Sequence, residues 1–152
     1  MIFATHELAD GSRVRLRLTR PTDAGRIQEF FEGSPDAVVR EFTFYDLHRR
    51  LMMAATEFSA AGEQIVGLAD LTFHRGGLAE VAVLVREDAR GQGVGTLLAE
   101  AVASVAVRRG VTRLKSELPM LERLGPTVRT VEDGRSVRYT RLSRAPRWRR
   151  AA

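Results

Sequence analysis

The sequence predicts an α/β (α+β) fold, a mixed, mostly antiparallel twisted sheet flanked by helices, with one long β-α-β crossover. Three observations support this prediction. Short runs joined by tight turns fill residues 58–85, which is typical of antiparallel strands. A long amphipathic segment then separates two strand-like runs, as a crossover helix would. A last pair of alternating runs surrounds Asp133-Gly134, a dipeptide that favours hairpins.

One strand and two helices are predicted in the N-terminal third. Apolar residues alternate with polar ones over residues 14–18, which indicates a strand. Residues 20–33 have the apolar periodicity and the terminal residues of a helix. A second helix is predicted over residues 43–57, because Thr43 and Asp46 have capping-box spacing and apolar residues follow at helical intervals.

The middle of the chain predicts three successive strands and the longest helix. The strands cover residues 58–60, 64–73 and 80–85, and their links are short enough for antiparallel pairing. Residues 95–109 place their apolar side chains on one broad face, and Gly110 stands where a helix commonly ends. This helix is the predicted crossover.

The C-terminal part predicts a strand over residues 111–117, a short helical piece over 119–125 and the hairpin over 127–142. The predicted order is therefore β-α-α-β-β-β-α-β-α-β-β. We expect residues 1–143 to form one domain and residues 144–152 to form a basic, flexible tail.

Composition excludes several classes of protein. The chain has no Cys, so disulfides and thiolate metal sites are impossible, and three scattered histidines argue against any metal cofactor. The sequence shows no signal peptide and no apolar run that could span a membrane, which predicts a cytoplasmic protein without a membrane partner. The net charge of +5 and the arginine-rich tail leave nucleic-acid binding open as a less favoured alternative.

The stretch Arg-Gly-Gln-Gly-Val-Gly, residues 90–95, stands between a predicted strand and the long helix. Glycine allows a tight turn and close approach of a ligand, while the amides at a helix start attract anions, phosphate above all. Arg90 adds a positive charge, and Arg86 is a second candidate. A P-loop is excluded because no lysine follows the glycines, and Thr96 and Leu98 break the dinucleotide-binding pattern.

This stretch resembles the Gln/Arg-x-x-Gly-x-Gly/Ala signature of the GNAT superfamily of acyl-CoA N-acetyltransferases, with Arg90, Gly93 and Gly95 at the fixed positions. The order of predicted elements agrees over most of the chain. Within the superfamily, residues 17–33, 62–73 and 79–85 are most similar to bacterial protein-lysine acetyltransferase domains.

The resemblance implies that acetyl-CoA is the co-substrate and that the partner is an amine acceptor, either a protein lysine or a small amine; a homodimer is possible. Backbone groups of Val83, Leu84 and Val85 would pair with the pantetheine arm. The glycine turn would hold the diphosphate, through Arg90, Gly91, Gln92, Gly93, Val94, Gly95 and Thr96. The strands of residues 80–85 and 112–117 would splay apart to admit the arm.

Transfer of an acetyl group to an amine needs a base, because an amine is almost wholly protonated at neutral pH. Glu80 is the candidate, since it begins the strand that ends at the glycine turn and since lysine acetyltransferases of the superfamily often carry a glutamate there. Small and apolar neighbours are expected to desolvate it. The Val85 N–H is predicted to contact the thioester carbonyl. An ordinary exposed glutamate is the alternative at Glu80.

One region departs from the family pattern. Relatives carry a longer segment with an asparagine and a full helix after the strand of residues 112–117, and many supply a tyrosine as general acid there. Residues 118–126 contain neither Asn nor Tyr. A catalytically weakened CoA-binding or regulatory module is therefore an alternative to an active enzyme.

The remaining polar and aromatic side chains carry weaker functional predictions. Tyr45 and His48 are placed on the second predicted helix, where packing or solvent contact is favoured over a role at the acceptor entrance. His74 is interpreted as a turn residue and Tyr139 as part of the core. Trp148 in the tail could stack on a nucleic-acid base or pack on the domain.

Overall fold

A computed structural model describes residues 5–32 and 36–142. These residues form one eight-stranded sheet in the order β1-β2-β3-β4-β5-β6-β8-β7. The strands are β1 (Thr5–Glu7), β2 (Arg13–Leu18), β3 (Arg50–Ser59), β4 (Gly62–Phe73), β5 (Leu78–Val85), β6 (Arg113–Ser116), β7 (Thr127–Glu132) and β8 (Arg135–Arg141).

Neighbouring strands are antiparallel except β5 and β6, which are parallel and joined by the crossover helix α3 (Val94–Arg108). Two shorter helices, α1 (Ala24–Phe30) and α2 (Asp36–Thr43), complete the helical layers. The predicted mixed, mostly antiparallel sheet with a single long crossover is confirmed among the described elements.

Each face of the sheet buries its own apolar cluster. On one face α3 packs its apolar side chains, among them Leu98 and Val102, against the central strands. On the other face Ile27 of α1 and Val39 of α2 pack against Leu68 of β4. Leu84 of β5 pairs with Leu68, so β5 has one side under α3 and the other on the face of the sheet that carries α1 and α2.

The predicted helix over residues 43–57 is wrong. Residues 50–59 are part of β3, and the second helix lies earlier, at Asp36–Thr43. All of residues 51–56 are buried, because β3 is a central strand covered on both faces. A continuous apolar run does not distinguish such a strand from a buried helix, and Met and Ala favour helices, which explains the error.

The other predicted elements are found close to their expected places, and β1 is an addition that the sequence did not indicate. Asp133 and Gly134 both have positive φ, 50° and 77°, as the predicted two-residue hairpin requires. No helix among the described residues is both long and apolar enough to cross a membrane. The tail predicted over residues 144–152, with Trp148, lies outside the described residues.

Candidate active site

The site is an opening in the sheet between β5 and β6. The two strands are paired only from Leu78 to Glu80 on β5 and from Arg113 to Lys115 on β6. One further contact follows, in which Ser116 Oγ donates to the Val81 carbonyl at 2.7 Å. Beyond it the strands separate, as the resemblance implied, and border a cavity of about 600 Å³.

The edge of β5 presents backbone groups to this opening. The Arg86 N–H donates to the Val66 carbonyl of the β4 side at 2.8 Å. Because backbone groups alternate in direction along an antiparallel strand, Ala82 and Leu84 also face β4, whereas Val83 and Val85 point toward the opening. Of the three residues expected beside the pantetheine arm, Val83 and Leu84 line the cavity, and Leu84 directs its backbone groups toward β4.

The start of α3 lies next to that edge. Gly91 and Gly93 have φ of 79° and 95°, and Gly93 is the residue that precedes the helix. The first helical hydrogen bond runs from the Leu97 N–H to the Gly93 carbonyl at 3.0 Å. The amide N–H groups before Leu97 therefore have no hydrogen-bond acceptor within the helix. Among the described residues no side chain caps them at Gly93.

Two glycines let α3 approach the strands closely. A Cβ on Gly95 would lie 3.3 Å from Met120 Cε and 3.5 Å from Val85 Cγ2. A Cβ on Gly67 of β4 would lie 2.8 Å from side-chain carbons of both Leu98 and Val94. The helix start is thereby held against β4 and β5. The sequence pattern indicates the role of Gly95 but not that of Gly67, which depends on contact with a helix distant in the chain.

The two arginines near the turn differ in their partners. Arg90 is exposed, and its Nε donates to the Val85 carbonyl at 3.3 Å. Arg86 bonds Glu57 at 3.0 Å and also Asp88, and these carboxylates, Asp88 first, raise the pKa of Arg86. Arg90 is thus the better placed of the two for a ligand at the helix start.

Glu80 lies on the face opposite α3, at the point where β5 and β6 separate. Val81 is buried under α3, while Glu80, Ala82 and Leu84 are exposed on the other face, as the alternation predicted. The Glu80 side chain is 50% exposed, so the predicted desolvating surroundings are not found. His74 Nε2 lies 3.3 Å from Glu80 Oε2, a contact that the interpretation of His74 as a simple turn residue missed.

A second group of polar side chains, which no local sequence pattern indicates, is found at the same cavity: Lys115 and Glu132 line it, and Tyr139 contacts Glu132. Lys115 Nζ lies 2.8 Å from Glu132 Oε1, and the Tyr139 hydroxyl donates to Glu132 Oε2 at 2.5 Å. Lys115 donates the hydrogen bond that lowers the pKa of Glu132 most, and Glu132 in turn raises the pKa of Lys115 and of Tyr139. Tyr139 is half-buried and contacts a residue of the cavity lining, so it is not the core residue that was predicted.

The strand register explains this assembly. Glu80 pairs with Lys115, and Lys115 pairs with Tyr139, so the three side chains lie in one row on one face of the sheet. The hairpin register around Asp133-Gly134 fixes Tyr139, but the pairing of β8 with β6 is a long-range event. Because local sequence does not indicate which strand β8 pairs with, the row of three side chains cannot be predicted from it.

The shortened segment after Glu117 forms a 3₁₀ turn, Pro119–Leu124, instead of a full helix. Leu121 and Leu124 are buried in the core cluster, and Met120 covers Gly95 at the start of α3. Glu122 accepts hydrogen bonds from Arg129 and Arg138, which lower its pKa to about 2. The turn is thus tied to the β7–β8 hairpin.

Tyr45 and His48, for which packing or solvent contact was favoured, are not on the predicted second helix. Tyr45 and His48 lie in the loop between α2 and β3 and not on a helix. The Tyr45 hydroxyl donates to the Thr19 carbonyl at 3.0 Å, which fixes the loop on β2. His48 is exposed in a turn around Asp46. In the described part of the chain, no group of His, Asp and Glu side chains is arranged to hold a metal ion.

Comparison with known proteins agrees with this architecture. A family model described as "Acetyltransferase (GNAT) family" matches residues 22–123. The chain is similar to the GNAT domain of PAT from S. lividans, with 25% identity, a TM-score of 0.78, and coverage of 91% of this chain and 96% of that one. No curated protein sequence matches the chain.

Two further solved structures share the fold. A cAMP-binding acyltransferase from Mycobacterium smegmatis is 24% identical with a TM-score of 0.66, over 92% of this chain but 47% of that one. The ribosomal-protein-S18-alanine N-acetyltransferase from Escherichia coli is 16% identical with a TM-score of 0.65, over 88% of this chain and 97% of that one.

Proposed function

Because this chain belongs to the acetyltransferase (GNAT) family, we propose that it transfers an acetyl group from acetyl-CoA to a primary amine by direct attack of the amine on the thioester. The observation that carries the proposal is that two sets of backbone groups lie side by side. The edge of β5 that β6 leaves open borders the cavity, and the uncapped start of α3 packs against that strand at Gly95.

The start of α3 suits the diphosphate of coenzyme A. Amides from Gln92 to Thr96 and the partial positive charge of the helix end would bind the anion, with Arg90 beside them. The N–H and C=O groups of Val83 and the N–H of Val85, whose carbonyl accepts from Arg90 Nε at 3.3 Å, would pair with the amides of the pantetheine arm in the manner of an added strand. The missing Cβ of Gly95 lets the start of α3 lie close to Val83 and Val85, so the two sets of groups are neighbours.

Glu80 is the proposed base. It lies at the inner end of the opening, and its exposure allows it to reach an incoming amine directly or through one water. A strand rises about 3.3 Å per residue, so the Val83 amide lies about 10 Å and the Val85 amide about 17 Å along β5 from Glu80. That spacing favours Val83 over the predicted Val85 for contact with the thioester carbonyl, with Val85 nearer the arm.

The cavity lining favours a cationic acceptor. Four carboxylates, Glu80, Glu117, Glu132 and Asp133, line it with two cations, Lys115 and Arg135. A protonated amine is drawn to such a site before it loses its proton. This supports an amine acceptor, either a protein lysine or a small amine. A cytoplasmic location and a homodimer remain predictions of the sequence.

The test begins with thermal unfolding in the presence of acetyl-CoA. A ligand that binds the folded state at 100 times its Kd stabilises it by about 2.7 kcal/mol, so the Tm should rise. S-acetyl-pantetheine, which lacks the diphosphate, is the matched control and should raise the Tm less. Release of CoA thiol with a panel of amines then reports transfer. No change in Tm at millimolar acetyl-CoA would contradict the proposal.

The 3₁₀ turn at Pro119–Leu124 favours one alternative, a module that binds CoA but transfers slowly or not at all. It replaces the helix from which many relatives supply their tyrosine, and the thiolate must then leave unaided or take a proton from water. This alternative predicts the same rise in Tm without release of thiol for any amine in the panel.

A further inference from the structure

Lys115 is the only lysine among the 24 Lys and Arg residues of the chain. Arginine keeps its proton at all accessible pH values, so Lys115 carries the one side-chain amine that an acyl donor can modify. This amine belongs to the lining of the candidate acetyl-transfer cavity.

The strand register places Lys115 beside the reacting groups. Lys115 is the partner of Glu80 in the last paired position before β5 and β6 separate. Its Nζ bonds Glu132 at 2.8 Å, and the side chain is 26% exposed. Glu132 ends β7 at the hairpin that forms the far wall. The amine therefore lies inside the opening, across from the exposed edge of β5.

We propose that the enzyme acetylates its own Lys115 from bound acetyl-CoA, an inference that rests on the proposed function. The neutral ε-amine attacks the thioester carbonyl carbon, a C–N bond forms, and the C–S bond breaks. CoA leaves as the thiolate. The proton lost by nitrogen passes to the Glu80 carboxylate and from there to water.

The charge state of Lys115 limits the rate of this reaction. Glu132 raises the pKa of Lys115, with smaller contributions in the same direction from Tyr139 and Glu80, so the neutral amine is scarce at pH 7. Three other charged groups line the cavity, Glu117, Asp133 and Arg135. Below the pKa the neutral fraction rises tenfold per pH unit, and the rate of modification should follow it.

Acetylation changes the site. The modified side chain loses its positive charge and with it the ion pair to Glu132, and the acetyl group occupies space in the cavity. An enzyme modified in this way should bind acetyl-CoA at the α3 start yet accept amines more slowly. Self-acetylation would thus reduce turnover when acetyl-CoA is abundant and acceptor is scarce.

The experiment incubates the full chain with acetyl-CoA at pH 8 and follows intact mass, with peptide mapping to separate Lys115 from the α-amino group. The unmodified chain should gain one acetyl group at Lys115, and Lys115→Arg should gain none on a side chain. The matched control is the double variant Lys115→Arg/Arg108→Lys. Its single lysine is exposed near the far end of α3, about 20 Å from the glycine turn.

Proximity in the cavity predicts that Lys115 reacts at least about tenfold faster than the lysine placed by Arg108→Lys. Glu132→Gln removes the partner charge, which lowers the pKa of Lys115, and should raise the rate at pH 7 several-fold. Between pH 7 and 9 the rate for the unmodified chain should rise about tenfold per unit.

Thermal unfolding of the same samples distinguishes failure of the self-acetylation proposal from failure of the transferase proposal. A Tm that rises with acetyl-CoA while Lys115 stays unmodified would overturn self-acetylation and leave the transferase proposal standing. Equal rates for Lys115 and the control lysine would also overturn it, since they would indicate unassisted chemistry. If the Tm does not rise and Lys115 is not modified, both proposals are overturned.

Discussion

The two sides of the candidate site are built in different ways. The first wall is β5 together with the start of α3, which packs against β5 beside the cavity. It offers mainly backbone groups, and Gly67 and Gly95 let the helix approach the strands. The wall formed by β6 and the β7–β8 hairpin offers charged side chains tied to one another, with Lys115, Glu132 and Tyr139 in one row of contacts. Glu80 stands where the two walls meet.

The difference indicates that the two walls have different functions. Backbone amides have a fixed geometry that does not change with pH, which suits the constant features of a nucleotide and its pantetheine arm. Titratable side chains set charge and proton transfer, which suits the choice and activation of an acceptor. Changes on the first wall should therefore alter co-substrate binding, while changes on the second should alter turnover.

The largest expected effect is at Glu80. Glu80→Gln keeps the size of the side chain and a hydrogen-bonding contact with His74, but it removes the group that takes a proton. Turnover with the best amine of the panel should fall by about 10²- to 10⁴-fold, the usual contribution of a general base. The Kd of acetyl-CoA, measured by calorimetry, should stay within about twofold.

His74→Ala is the control for Glu80. It removes the hydrogen bond but leaves the carboxylate, so the loss of turnover should be far smaller than for Glu80→Gln. If Glu80→Gln has the same turnover as the parent enzyme, Glu80 is not the base. The proposed difference in function between the two walls would then not hold at that position.

The first wall could be predicted from sequence far better than the second. The stretch from Arg90 to Gly95 is local, and its glycines, helix start and preceding strand are all read within a few residues. The row from Glu80 to Tyr139 depends on two strand pairings between distant segments, which no local pattern encodes. Gly67 illustrates the same limit, because only the packed helix shows what a Cβ there would meet.

The fold was predicted to a similar depth. The crossover helix and the final hairpin have strong local patterns, and both are where the sequence placed them. The run from Leu51 to Thr56 was assigned to a helix because burial on both faces of a central strand erases the alternation that marks a strand.

The next expected effect concerns the approach of α3 to β4. Gly67→Ala would place a Cβ 2.8 Å from carbons of Leu98 and Val94, both fully buried, so the helix must shift or the side chains leave their rotamers. Such overpacking destabilises by about 1–3 kcal/mol. Because the shift moves the helix start, acetyl-CoA affinity should also fall. Urea unfolding and calorimetry measure the two changes.

Gly25→Ala in α1 is the matched control for Gly67. Its added Cβ meets nothing within 4 Å, and the residue is helical, so stability should stay the same or increase by up to about 1 kcal/mol. Equal changes in stability and in acetyl-CoA affinity for the two variants would show that neither quantity depends on the close approach of α3 to β4.

The smallest expected effect separates the two arginines of the first wall. Arg90→Ala removes an exposed guanidinium beside the start of α3 and should raise the Kd of acetyl-CoA about tenfold, equivalent to about 1.4 kcal/mol. Arg86→Ala removes a guanidinium already paired with Glu57 and Asp88 and should change the Kd by less than about threefold. The Arg90 contribution is a charge interaction, so it should shrink as salt rises. If S-acetyl-pantetheine binding, which involves no diphosphate, weakened as much as acetyl-CoA binding in Arg90→Ala, the arginine would act on the fold of the turn and not on the anion.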